Sequence, residues 1–149
     1  MTATNHTLTG VVIGSVVASP YLALPIAFVS HFVLDWLPHY DSKDNNHTSR
    51  RFLYTLSLDI AIASAILLSI IIISPNNYVL LVASAVIAAS ADLMWFQPWV
   101  NEIRGVTNKP PGKLKKFHSD IQKRTGPKMI YVEIAWACLM ITILAVLAI

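Results

Sequence analysis

Five histidines and eight acidic residues are the chemically versatile side chains of this 149-residue chain, and several fall into one pattern. His31 and Asp35 stand four apart in an apolar stretch, so on a helix they share a face. His39 and Asp41 follow just past Pro38, where that helix must be ending. The spacing His31-x-x-x-Asp35-x-x-x-His39 offers three donors from a helix end and the turn after it. Imidazole and carboxylate together suit Zn, Mn or Fe. His6, Asp92 and His118 are further donors, so the supply exceeds the three or four that one zinc needs. One or two ions, Zn2+ or Mn2+, are expected, with Asp35 or Asp92 as a bridge. Asp41 and Asp92 are the candidate catalytic acids or bases. The plainer alternative is that Asp35, Asp59 and Asp92 cap helices or pair with Arg50, Arg51 and Arg104, while the histidines sit at an interface.

The elements that position these residues follow from composition. Hydrophobic residues make up 55% of the chain, charged residues 13%, and mean hydropathy is +0.58. A soluble domain carries about 25% charged residues. Neither residues 8–34 nor residues 60–91 contain an Asp, Glu, Lys or Arg. This excludes an ordinary soluble globule and a disordered chain, and the single Cys138 excludes a disulfide-stapled scaffold. The reading is an all-α integral membrane bundle, one domain over residues 1–149, with four to five short transmembrane helices. They are expected over residues 7–18, 22–37, 51–73, 78–96 and 128–148, with polar loops over 38–50 and 97–127. Pro20 and Pro25 break the first apolar stretch into a hairpin, the alternative being one long kinked helix. Its first arm, about 20 Å long, is short for about 30 Å of hydrocarbon. No basic region follows Met1, and no cleaved signal peptide is expected.

Charge sets the direction of the spans. All 11 Lys and Arg residues lie in or beside the two polar loops. Lys43, Arg50 and Arg51 serve the first; Arg104, Lys109, Lys113, Lys115, Lys116, Lys123, Arg124 and Lys128 serve the second. The turns at 19–21 and 74–77 carry none. The positive-inside rule then places both loops in the cytoplasm of a bacterial-type inner membrane. His6, His31, Asp35, His39, Asp41, Asp92 and His118 all fall on that side, although none was used to set it. Residues 113–124 read as an interfacial amphipathic helix, with Leu114, Phe117 and Ile121 at helical spacing. Lys115, Lys116 and Arg124 could attract an anionic headgroup. The net charge of +3 and pI of about 9.1 therefore reflect membrane topology, and no nucleic-acid partner is expected. Trp36, Tyr40, Trp95 and Trp99 form an aromatic belt at the same border.

Three other polar residues have plain readings. Asp59, two turns inside its helix, reads as a buried link between helices. Glu133 reads as a partner of Lys128 or Arg124, or else as a general base. His47 lies in a polar loop, where Thr48 or Ser49 can cap the next helix.

The segments Thr4-Asn5-His6-Thr7-Leu8-Thr9-Gly10 and Ser30-His31-Phe32-Val33-Leu34-Asp35-Trp36-Leu37-Pro38-His39-Tyr40-Asp41 resemble a group of small bacterial and archaeal inner-membrane proteins. That group is related in pattern to the membrane-bound metal-dependent hydrolases. The resemblance implies an early histidine, a Ser-His-x-x-x-Asp helix segment and a Pro-His-x-Asp turn. These are matched by His6, by His31 with Asp35, and by His39 with Asp41. Asp92 and His118-Ser119 resemble the later acidic and histidine positions. The larger hydrolases also carry a Pro-Asp-x-Asp-His segment and a His-Arg-Gly-x-Thr-His-Ser segment; His47-Thr48-Ser49-Arg50 is a partial match to the latter. The likeness is close over about the first 60 residues and loose beyond.

The expected function is a metal-dependent hydrolase acting on a phosphate ester or lipid headgroup at the cytoplasmic membrane face. Its metal would activate water and polarise a phosphoryl or carbonyl oxygen. Two alternatives stand beside it. One is a non-enzymatic membrane protein held by a structural metal or ion-pair cluster. The other is a metal or ion transporter, for which a homo-oligomer, at least a dimer, would have to supply the path that the apolar outer half lacks.

Overall fold

A computed structural model of the chain describes residues 1–41, 47–74, 76–122 and 124–147. The fold is all-α. Helix α1 spans Ala3–Val17, α2 Pro20–Trp36, α3 Arg50–Ile73 and α4 Tyr78–Ala89. A 3-10 segment, Ser90–Trp95, leads from α4 into α5, Phe96–Ile103. The short α6, Lys113–Ile121, and a single 3-10 turn, Pro127–Met129, precede α7, Ile130–Val146. Lys43, Pro75, Lys123 and Ala148, used in the sequence reading, lie outside the described residues.

Local signals explain the boundaries. Thr2 caps α1 by accepting the Asn5 amide, which starts the helix at Ala3, four residues before the expected start at Thr7. Ala18 takes a left-handed conformation (φ 52°) and ends it. Ser19 and Pro20 then open α2, proline being preorganised for a first helical position. Two helices, not one long kinked helix, therefore fill the first apolar stretch. Pro25 lies inside α2, and Pro38 stops it. Ser49 caps α3 through the Phe52 amide at 3.1 Å.

The expected helix over 78–96, closed by Pro98, is reshaped. Its last turns tighten into the 3-10 segment, and Pro98 is the third residue of α5. A first-turn amide has no intrahelical acceptor, so proline starts a helix there and does not end one. The stretch from Tyr78 to Ile103 is thus helical throughout. The expected polar loop over 97–127 correspondingly contains α5 and α6.

Among the described residues, three stretches are long and apolar enough to cross a membrane: Arg50–Ile73, Tyr78–Ile103 and Pro127–Val146. Pro20–Trp36 is a shorter apolar helix. Helix α1 lies in the middle and packs against α2, α3, α4 and α7. Its contact with α4 depends on small residues. A Cβ on Gly10 would stand 2.5 Å from the Ala85 Cα and the Ser84 carbonyl, and one on Gly14 would stand 3.0 Å from Ser84 Oγ. Backbones that approach this closely are typical of helix pairs in lipid. The apolar core is small, built on Val11, Ile70, Leu81 and Ala85. Buried Asn5, His6, Thr7 and Thr9 show that the central helix is polar inside. Leu22, Val29, Val33, Leu68 and Ile72 are exposed on the outer helices. Polar groups inside and large apolar side chains outside suit a hydrocarbon solvent.

Candidate metal centre

Asp35 is the hub. It lies in the last turn of α2 and is 1% exposed. Its Oδ2 accepts from His118 Nε2 at 2.6 Å and from the Gln122 amide at 2.7 Å, and it stands 3.2 Å from His31 Nε2. Its Oδ1 accepts from His6 Nε2 at 3.1 Å and pairs with the Met1 ammonium. Two further helices therefore aim a histidine at this carboxylate on α2, His6 from α1 and His118 from α6, while Asp92 of the 3-10 segment reaches His31.

The orientation of the His31 ring is set by its surroundings. Its Nδ1–H donates to the Ala88 carbonyl at 2.8 Å, which turns Nε2 toward the site. There Nε2 meets Asp35 Oδ2, His118 Nε2 at 3.2 Å and Asp92 Oδ1 at 3.5 Å. One donor atom from each of His31, Asp35, Asp92 and His118 lies within 4.8 Å of the others. Two carboxylates and two imidazoles that face one point are a donor set that suits a divalent cation. The four form a cluster capable of holding such an ion. His31, Asp35 and His118 are essentially closed to solvent, whereas the Asp92 side chain is 42% exposed. Asp92 is therefore the open edge of the site.

His6 lies beside the cluster. Its ring stacks on His31 with centroids 4.0 Å apart and an interplanar angle of 15°. His39 is not one of the four. Its Nδ1–H donates to the Leu37 carbonyl at 2.9 Å, and its backbone pairs with the segment around Thr125. The cause is the turn at Pro38, which takes the chain away from the α2 face. Burial holds the His39 pKa below its ordinary value, and the nearby N-terminal ammonium pushes the same way. Asp41 accepts from the Thr125 hydroxyl at 3.3 Å and is likewise not one of the four. Lys115 places its ammonium 4.9 Å above the Trp95 ring, which is itself 5.9 Å from His118. Lys116 and Arg124 are exposed.

Gln122 was missed in the sequence. Its position four residues after His118, on the same helical face, was the available signal. The role of Glu133 also differs from the sequence reading. It is buried, and it accepts from the Thr2 hydroxyl at 2.9 Å, from Asn5 Nδ2 at 2.6 Å and from the Tyr40 amide at 3.1 Å. These neutral donors replace the expected Lys128 or Arg124. Asp59 accepts from the Ala3 and Thr4 amides at 2.7 and 3.0 Å. Two carboxylates thus hold the start of α1, where the helix dipole favours negative charge, and so fix His6. No protein-family model, curated protein or solved structure matches the chain.

Proposed function

We propose that the chain is a membrane-embedded, metal-dependent hydrolase whose centre is held by His31, Asp35 and His118, with Asp92 at its open edge. The observation that carries this reading is the His31 ring, anchored by the Ala88 carbonyl so that its Nε2 joins three other donors. Two imidazoles and two carboxylates suit Zn2+ or Mn2+. When bound, the ion would supply Lewis acidity toward a water and a phosphoryl or carbonyl oxygen. Asp92, the exposed acid, is the group we assign to holding and moving a proton at the open edge. We assign Asp41 to the pairing of the two polar segments instead. His6 and Gln122 keep the Asp35 carboxylate oriented.

Lys115, Lys116 and Arg124 favour an anionic substrate, so a phosphate ester or lipid headgroup is the substrate class. The short motifs that resemble those of the membrane-bound metal-dependent hydrolases support the same chemistry. The distribution of Lys and Arg supports a cytoplasmic face for the site in a bacterial-type inner membrane. A structural cation is the second reading, favoured by the near-complete burial of three of the four donors. The exposure of Asp92 favours the catalytic one: three buried donors would hold the ion and leave the position beside Asp92 open to water, as catalytic sites require.

Elemental analysis of the detergent-purified protein, beside a His31→Ala/Asp35→Ala variant, tests the centre. One or two equivalents of Zn or Mn in the native protein, lost in a variant that still folds, are expected. Phosphate esters and phospholipids are then assayed with the metal-loaded protein. Absence of metal after reconstitution with Zn2+, Mn2+ and Fe2+ overturns the reading.

A further inference from the structure

Helix α6 supplies His118, and Gln122 follows in its next turn, yet α6 is a short, separate element. It packs against α2 and follows the exposed segment 104–112, which contains Pro110, Pro111 and Gly112. Its inner edge closes the site, since His118 is fully buried there. Its other apolar edge is uncovered. Leu114 is 53% and Phe117 51% exposed, and Phe117 sits 5.8 Å from the Phe32 ring of α2. Lys113 and Lys116 are exposed beside this edge. Segment 101–128 holds eight Lys and Arg residues against Glu102 and Asp120. The neighbouring Leu93, Phe96 and Trp36 are exposed at the same border. An apolar edge rimmed by lysines, next to membrane-spanning helices, matches the acyl–headgroup boundary of a bilayer with negative surface charge.

We propose that α6 docks on an anionic lipid surface and that this docking holds His118 in its seat against Asp35. The surface thereby couples lipid charge to the completeness of the centre. Lys113 and Lys116 contact headgroups, Leu114 and Phe117 enter the boundary, and the opposite edge delivers His118. The cation half of this inference rests on the metal-centre reading; the docking half does not.

The test uses the full chain in nanodiscs of phosphatidylcholine alone and of an equal mixture with phosphatidylglycerol. Amide-hydrogen exchange over residues 113–122 reads docking without any metal. Zn2+ affinity, by competition with a chelating dye, reads the coupling. Anionic discs are expected to slow exchange across α6 and to tighten Zn2+ binding roughly tenfold, and raised salt should remove both effects. Lys113→Glu/Lys116→Glu should behave alike in both lipids. Leu114→Ser/Phe117→Ser, which leaves the charges in place, should weaken protection in both. Equal exchange in the two lipids for the native chain overturns the inference even if Zn2+ binds. Slower exchange on anionic discs with equal Zn2+ affinity in both overturns the coupling. Slower exchange on anionic discs with no Zn2+ binding in either upholds the docking and overturns the metal reading.

Discussion

His31, Asp35 and His118 depend on one another through a few short contacts, so single substitutions should have distinct signatures. Asp35→Asn keeps the shape and removes the charge that His6, His118 and the Met1 ammonium face. It should abolish metal retention and lower thermal stability, since buried groups lose their counter-charge. A variant that keeps full metal content would rule Asp35 out as a ligand. Gln122→Leu removes the amide 2.7 Å from Asp35 Oδ2. Metal affinity should fall by roughly 10- to 100-fold, as when an outer partner of a ligand is lost; unchanged chelator competition would show that Gln122 is a bystander. His39 has a different signature. Its pKa is lowered in the folded state, so its contribution to stability is present above about pH 6.5, the value of the free side chain, and is lost as pH falls below it. Melting temperatures of the native chain and of His39→Gln should therefore diverge above that pH and converge below it. Parallel curves at every pH would refute the assignment. The His31–Asp35 pair was legible in the sequence because four-residue spacing is a property of one helix. Gln122 and the true partners of Glu133 were not, because they depend on contacts between distant segments.

Among the elements, α1 and α4 have the tightest fit. Gly10→Ala would put a methyl group 2.5 Å from backbone atoms of α4, which cannot rotate away. A loss of about 1–3 kcal/mol is expected from such overpacking, read as a lower unfolding temperature in detergent. The same substitution should displace His6, one turn earlier on α1, and weaken the centre. A Gly10→Ala protein as stable as the native chain would mean that the two helices sit further apart. Prolines explain both what was readable and what was not. Pro20 and Pro38 bound α2, as local backbone sterics demand. Pro98 looked like a stop because a sequence does not say whether a proline falls in the first turn of a new helix or inside an old one.

At the scale of the whole molecule, apolar side chains face outward while carboxylates and imidazoles gather inside at one end. With Cys138 replaced by Ser, a single cysteine at Thr107 should react with a membrane-impermeant reagent only when the cytoplasmic side is open, and one at Asn76 only from the opposite side. Labelling of both from one side would overturn the topology. Composition and the placement of Lys and Arg are enough to read an all-α membrane protein and to expect the reactive residues on one side. Span length and charge asymmetry are properties of the chain against a bilayer and need no knowledge of which helix touches which. Tertiary structure alone decided that Asp35 is the hub, that His118 and Asp92 join His31 there, and that His39 turns away. Those outcomes depend on how closely Gly10 lets α1 approach α4, and on where the 3-10 segment and α6 leave the bundle. No local spacing encodes these distances.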